Sequence, residues 1–138
     1  MKVERLEDST RTVKDAAAAV GCDVAEIAKS IVFVADGDPV VCVASGRHRI
    51  DTDRIAKALD VAEVRQAGAA EVRAATGFAI GGVPPFGHDV PVIFDEELLR
   101  HERVWAAAGD PNSLFRVDPR ELCRCIDARV LAVGERSE

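Results

Sequence analysis

The sequence contains no cysteine pair with the Cys-x-x-Cys spacing that is typical of zinc sites and redox motifs. Its four cysteines are scattered, and Cys42 lies in an apolar run that favours a small buried hydrophobic side chain. Cys123 and Cys125 stand two positions apart on a predicted helix, so their side chains point in different directions. We therefore expect reduced thiols, no disulfide and no metal site.

No stretch of the 138 residues approaches the ~20 consecutive apolar residues that a membrane span requires. Residues 1–15 are charged and lack the apolar core of a secretory signal. Hydrophobic residues make up 48% of the chain and charged residues 30%, which is ordinary for a folded domain. These observations predict a cytoplasmic protein with no membrane partner and a single domain over residues 1–138.

The chain also lacks an excess of positive charge. Its net charge of −6 argues against DNA binding and against broad non-specific binding of nucleic acid, because phosphate contacts need Lys and Arg. A basic cluster is nevertheless present, made of Arg47, His48, Arg49, Arg54 and Lys57. It indicates either a solvated face of mixed charge or a local basic rim, and the sequence leaves both open.

Hydrophobic periodicity predicts an α+β domain. Helices are expected at 11–20, after Asp23, after Asp51 or Thr52, at 69–75, at 96–101 and after Asp118-Pro119. Strands are expected at 31–35, 39–44, 62–65, 91–94, 104–107 and 114–117, with a turn at 110–113. The first two strands flank Asp36-Gly37 and should form a hairpin that is covered on both faces. Residues from Gly134 onward are expected to be frayed.

Two segments are candidates for chemistry, and each has a structural alternative. Lys29 is predicted to lie where a short helix meets the first apolar strand, and its ammonium could hold a phosphate or a carbonyl oxygen. Alternatively, it only favours a helix C-terminus. The loop Gly81–Gly87 holds three glycines and two prolines, so it could present rigid backbone N–H groups to an oxyanion. Alternatively, it is a tight structural turn.

General acid/base candidates are few. His88 follows the glycine loop and could reach a site that the loop lines, whereas His48 and His101 are expected to be exposed. Asp95 begins a predicted helix, and capping explains it. The sequence holds no Ser-His-Asp pattern, no Gly-x-Ser-x-Gly elbow and no His-Glu-x-x-His motif, so covalent catalysis has no candidate.

The ordered combination of the Ala-Lys-Ser turn and the Gly-Gly-x-x-Pro loop resembles the YbaK/EbsC family, the free-standing relatives of the editing domain of bacterial prolyl-tRNA synthetases. The resemblance covers roughly residues 5–130. The matching segments are Thr12–Ala19, Ile27–Phe33, Asp36–Val41, Gly46–Arg49 with Asp51, Thr76–Gly87, Pro91–Asp95 and Ala108–Gly109.

The resemblance implies a compact mixed β-barrel or sheet with surrounding helices, and a hydrolase that deacylates mischarged aminoacyl-tRNA without a metal or organic cofactor. It implies catalytic roles for Lys29, Gly81 and Gly82. Substrate contacts are implied or inferred for Ser30, Val83, Pro84, Pro85, His88, Arg47 and Arg49. The implied partners are the acceptor end of an aminoacyl-tRNA and, as a further candidate, an aminoacyl-tRNA synthetase.

One departure concerns specificity. Some editing domains carry a pocket histidine late in the chain, where this sequence has Asn112-Ser113-Leu114-Phe115. The amino acid that is removed is therefore not implied. A second reading keeps the fold but makes it a catalytically idle module that binds a tRNA end, a nucleotide or a synthetase. The presence of both Lys29 and the glycine loop favours the enzyme.

Overall fold

The computed structural model describes residues 2–5, 13–80, 82–109 and 113–135. In these ranges the strands are β1 (Lys2–Arg5), β2 (Ile27–Ala35), β3 (Asp38–Ser45), β4 (Val64–Gln66), β5 (Val92–Asp95), β6 (Val104–Ala107), β7 (Ser113–Val117) and β8 (Arg129–Leu131). The helices are α1 (Val13–Val20), α2 (Thr52–Leu59), α3 (Ala69–Thr76) and α4 (Pro119–Cys125), with short 3₁₀ turns at Val24–Glu26 and Glu96–Arg100. The predicted α+β class, a mixed sheet with surrounding helices, is confirmed.

The eight strands form one mixed sheet in the order β1-β7-β6-β2-β3-β5-β8, with β4 paired to β2. Strand β2 pairs along its length with β3, as the hairpin prediction required. Its other edge is shared: β6 pairs with Ile27–Ala28 and β4 pairs with Phe33–Ala35. Among the described strands, none pairs with Lys29 and Ser30 on that edge, so the sheet has a gap there.

Turn chemistry fixes the β2–β3 hairpin. Asp36 and Gly37 both have positive φ, 46° and 90°, which is the backbone of the two-residue turn that matches strand twist. The Asp36 carboxylate also accepts hydrogen bonds from the backbone N–H groups of Ala62 and Glu63, and these bonds lower its pKa. The turn therefore fixes both the hairpin register and the start of β4.

The sheet buries both faces. The inner face carries the largest core cluster, in which Val32, Val43, Phe94 and Phe115 pack together. On the outer face α2 covers a second cluster around Phe33, Cys42 and Ile93. Helix α1 covers a third, smaller one that includes Ile27 and Leu114.

Several expectations need correction. Lys29 is not at a helix–strand junction but is the third residue of β2, because the strand already begins at Ile27. The short strands β1 and β8 were not predicted, since their apolar patterns are too weak to stand out. Gly134 is not frayed: it is buried and forms a β-bridge with Ile50. Most of the predicted turn at 110–113 lies outside the described residues.

Candidate functional site

Lys29 lies on the outer face of the sheet, between the patch that α1 covers and the patch that α2 covers. Its strand neighbours on this face are Ile27 and Ile31, which belong to those two clusters. The register places Lys29 opposite Ala44 of β3. The β3–β5 pairing extends the same row to Asp95. A cation and a carboxylate therefore stand on one face, two strands apart.

The Lys29 ammonium is held in place by the main chain. Its Nζ donates a hydrogen bond of 2.7 Å to the carbonyl oxygen of His48. The side chain is half-buried, and burial lowers the pKa of Lys29, an effect that the negative charge of Asp95 partly opposes. Burial raises the pKa of neighbouring Cys42 to about 12, so that thiol stays protonated and is not a nucleophile.

Asp95 does more than cap a turn, which corrects the sequence interpretation. One carboxylate oxygen, Oδ1, accepts from the Glu97 N–H at 3.0 Å, as the capping prediction required. The other, Oδ2, accepts from the Ser45 N–H at 3.0 Å and lies 2.8 Å from His48 Nδ1. The side chain is 0% exposed. Its three partners come from three different segments, so Asp95 joins β3, the following turn and the segment after β5.

His48 is not the exposed residue that the sequence predicted. Its side chain is 24% exposed, with the ring bonded to Asp95 on one edge. A Cβ built on Gly134 would lie 2.6 Å from His48 Nδ1, so only glycine leaves room for the ring there. His48 and Asp95 both line an open cleft of about 290 Å³. The proximity of His48, Asp95 and Gly134 could not be predicted from the sequence, because it depends on how the strands pair.

The glycine loop approaches β2 from the other side. Gly81 lies outside the described residues. The Gly82 N–H donates to the Ala79 carbonyl at 2.9 Å, so this donor is used within the loop. Pro84 and Pro85 are buried, and Val83 packs in the inner core cluster with Ala28 and Val32. The loop and the Lys29 side chain therefore meet β2 on opposite faces, and the structure shows no contact between Lys29 and the described part of the loop.

Two polar atoms near this inner face are buried without a hydrogen-bond partner among the described residues. One is the hydroxyl of Ser30, and the other is Nε2 of His88. His88 Nδ1 accepts from the Val90 N–H at 3.2 Å, so Nε2 carries the proton of the neutral ring. Burial lowers the pKa of His88, although the nearby Pro84 carbonyl favours the protonated ring. The Ser30 hydroxyl thus has unused hydrogen-bonding capacity, whereas the His88 ring lies near the Pro84 carbonyl without a fully formed hydrogen bond at Nε2.

Phe78 anchors the loop to the end of β6. Its ring lies against Gly87 and Gly109, where an added Cβ would come within 3.6 Å and 3.3 Å of ring carbons. Both glycines have positive φ, 86° and 111°. Phe86 is 40% exposed and borders an apolar cleft of about 420 Å³, and its ring centroid lies 5.4 Å from that of Phe115 at a tilt of 54°. The loop is thus fixed by aromatic packing rather than by strand pairing.

The predicted basic contacts lie next to His48. Arg47 is exposed, and its guanidinium pairs with Glu97 at 3.3 Å. Arg49 is also exposed, and its carbonyl accepts a hydrogen bond from the Glu135 N–H. Part of the basic cluster is therefore neutralised by ion pairing, while Arg49 is left as a charge that faces solvent.

Among the described residues, no group of three or more His, Cys, Asp or Glu side chains is arranged to hold a metal ion. In the same residues no helix is long and apolar enough to cross a membrane.

Comparison with known proteins gives one consistent result. The aminoacyl-tRNA editing domain family matches residues 7–125. The chain is 38% identical over 123 residues to the uncharacterized protein YwhH of Bacillus subtilis, covering 87% of this chain and 78% of that one. It is 35% identical over 109 residues to a proline–tRNA ligase of Solidesulfovibrio magneticus, of which the match spans only 19%.

A solved structure of a proposed trans-editing enzyme for prolyl tRNA synthetase superposes with a TM-score of 0.90 and 45% identity. The match covers 98% of this chain and 87% of that one. These findings confirm the resemblance that the Ala-Lys-Ser and Gly-Gly-x-x-Pro segments indicated. The chain belongs to the aminoacyl-tRNA editing domain family.

Proposed function

We propose that this protein is a trans-editing hydrolase, which releases the wrong amino acid from a mischarged tRNA by hydrolysing its ester bond. The observation that carries the proposal is the family match over residues 7–125, together with a half-buried ammonium at Lys29 that has hydrogen-bonding capacity to spare. A lysine ammonium has three N–H donors. One of them bonds to the His48 carbonyl, which leaves two for a substrate.

Lys29 is suited to the aminoacyl end of tRNA. The terminal nucleotide carries a phosphate and an ester carbonyl a few bonds apart, and both attract a positive charge. A charge that is pre-positioned by a protein carbonyl needs no reorganisation when negative charge develops on the ester oxygen. We assign Lys29 the role of binding the substrate's anionic groups and stabilising that charge.

The glycine loop is assigned the aminoacyl group, which would reach the inner face from Lys29 through the gap in the sheet at Lys29 and Ser30. Its buried Pro84 and Pro85 and its packed Val83 make a stiff wall. The unpartnered Ser30 hydroxyl and His88 Nε2 are available to hydrogen-bond a small polar amino acid. The Gly82 N–H, in contrast, already has a partner in Ala79, so a direct role for that amide requires the turn to open.

Water is the proposed nucleophile, and neither a metal nor an organic cofactor takes part. The tRNA acceptor end is the proposed partner, with Arg47 and Arg49 contacting its phosphates. A net charge of −6 is compatible with a protein that contacts only the acceptor end of the tRNA. The weak tRNA affinity that this implies would be raised by docking on a synthetase.

The alternative is an idle module of the same fold, which binds a tRNA end or a synthetase without hydrolysis. The Gly82–Ala79 hydrogen bond favours it, because an amide already bonded in the loop offers nothing to a tetrahedral oxyanion.

Ester loss from a panel of alanyl-, cysteinyl-, seryl- and threonyl-tRNA separates the two functions. Acceleration of at least one member well above its spontaneous rate is expected of the enzyme. Binding of the same tRNAs with no acceleration would establish the idle module instead.

A further inference from the structure

The His48–Asp95 pair is a feature of this site that the proposed function has not used. Asp95 is fully buried, and its carboxylate oxygens are bound by two backbone N–H groups and by the His48 ring. A carboxylate that accepts these bonds is an acceptor only, so the ring nitrogen facing it must be the donor. Asp95 therefore fixes the proton of neutral His48 on Nδ1.

The consequence concerns the other ring nitrogen. With Nδ1 protonated, Nε2 carries a free lone pair and can accept a proton. Nε2 has no hydrogen-bond partner among the described residues, and the side chain remains 24% exposed at the 290 Å³ cleft. A ring that lines a cleft, with its tautomer set by a buried carboxylate and its other nitrogen unbonded, is the arrangement of a general base.

Two further observations concern the ring and the backbone of His48. The backbone of Gly134 lies so close that a Cβ there would be 2.6 Å from Nδ1. The carbonyl of His48 itself receives the Lys29 ammonium at 2.7 Å. The Lys29 ammonium, which is assigned to the substrate, is thus bonded to the main chain of the same residue whose ring is the candidate base.

We propose that His48 is the general base of the editing reaction, oriented by Asp95 and confined by Gly134; this rests on the proposed hydrolase function. His48 Nε2 accepts a proton from a water molecule as the water oxygen bonds to the ester carbonyl carbon. When the bond from that carbon to the ribose oxygen breaks, the imidazolium returns the proton to the ribose oxygen. The products are the free amino acid, which ionises to its carboxylate in solvent, and a tRNA with its hydroxyl restored.

Protonation of Nε2 removes the lone pair, so the rate should fall as the pH is lowered. The charged groups that face the ring or its cleft are Lys29 of β2, Arg54 of α2, Asp95 of β5, Glu96 and Glu97 of the turn after β5, and Glu135 near the C-terminus. Glu97 is itself paired with Arg47 and Arg100 at 3.3 Å.

The test combines deacylation rates with NMR of the His48 ring, which needs no substrate. Nitrogen NMR of the wild-type chain should show that the neutral His48 ring carries its proton on Nδ1 and none on Nε2. His48→Gln should lower the deacylation rate by about 10²-fold or more, as expected for loss of a general base, and should abolish the acidic fall of the pH profile. His101→Gln is the matched control, because His101 ends the turn after β5 and does not line the cleft. Its Nε2 is buried, not exposed as the sequence predicted, and the variant should retain the wild-type rate and profile.

Gly134→Ala is a second variant for the case in which His48→Gln fails to fold. It keeps the imidazole and displaces it. It should lower the rate and change the His48 nitrogen shifts together. If the wild type is active and His48→Gln has a deacylation rate within threefold of it, His48 is not the general base, although the protein is still a hydrolase. The same conclusion follows if the wild-type His48 ring carries its proton on Nε2. A wild type that hydrolyses no aminoacyl-tRNA would overturn the hydrolase, and the base with it.

Discussion

The ammonium of Lys29 is bonded to the carbonyl oxygen of His48, 19 residues further along the chain. The turn after β3 folds back over the start of β2, where the Gly46 N–H donates to the Ile27 carbonyl at 2.8 Å. Lys29 thus stabilises the turn that carries His48, in addition to any role toward a substrate. Experiments on Lys29 must therefore measure activity and stability on the same preparation.

The first prediction concerns pH and Lys29. Burial lowers the pKa of Lys29 below its ordinary value of 10.5, so the ammonium loses its charge earlier than an exposed lysine as the pH rises. Deacylation, corrected for spontaneous hydrolysis, should fall over that alkaline range. Stability should change in the opposite sense, because the unfolded chain there binds the proton more tightly than the folded chain and the free energy of unfolding rises.

Lys29→Met is the comparison for this prediction, since it removes the titrating group and keeps a long side chain. The difference in unfolding free energy between wild type and Lys29→Met should shift in favour of the wild type as the pH rises toward 10.5. A difference that is constant across this range would mean that the lysine is not buried as described.

The second prediction concerns the loop. Gly82→Ala should reduce deacylation more than thermal stability, because a methyl group at this buried position hinders close approach of the ester to the backbone. The rate per folded molecule and the melting temperature should be measured together. A lower melting temperature with an unchanged rate per folded molecule would make Gly82 purely a turn residue. Gly37→Ala, in the exposed hairpin turn, is the control that should affect stability alone.

The third prediction is that activity needs neither metal nor thiol. Cys42 is fully buried and its pKa is raised to about 12, so it should be replaced by Ala, while Cys22, Cys123 and Cys125 can be replaced by Ser. The fourfold variant should lose stability, because replacing Cys42 removes a fully buried sulfur from the core. It should keep the wild-type rate per folded molecule. Loss of activity in the folded variant, or on treatment with a chelator, would contradict this.

The fourth prediction concerns tRNA binding. Arg49 is exposed and its charge is not paired among the described side chains, whereas Arg47 is paired with Glu97. Arg49→Ala should raise the Michaelis constant for tRNA and reduce the slope of log affinity against log salt by about 1, with little change in the maximal rate. Arg124→Ala, an exposed arginine on α4, should do neither. Equal effects of the two variants would mean that tRNA does not lie over the His48 turn.

Most elements were predictable from the sequence because their signals are local. The hairpin at Asp36-Gly37, the Pro at the start of α4 and the cap at Asp51 each rest on a few adjacent residues. Strands β1 and β8 were missed, because three or four residues with mixed polarity carry too little pattern.

The site was predictable only in part. Lys29 stands out as a cation in an apolar run, and the loop stands out by its glycines and prolines. Asp95 was explained by its capping bond alone, because nothing in the sequence shows that β5 lies beside β3 and brings its carboxylate to His48. Gly134 was assigned to a frayed end for the same reason, since its role depends on the Ile50 bridge.

The most direct test of the central claim is deacylation by Lys29→Ala beside Lys57→Ala, an exposed lysine on α2, with thermal unfolding on the same preparations. Lys29→Ala should lose roughly ten- to more than a hundredfold in rate, as expected for one charge-assisted hydrogen bond of ~1.5–3 kcal/mol, and should still fold. Lys29→Arg should also be impaired, because a planar guanidinium does not replace the compact ammonium. Lys57→Ala should match the wild type. A Lys29→Ala protein that is less stable but fully active would contradict the account and leave Lys29 as a support for the His48 turn.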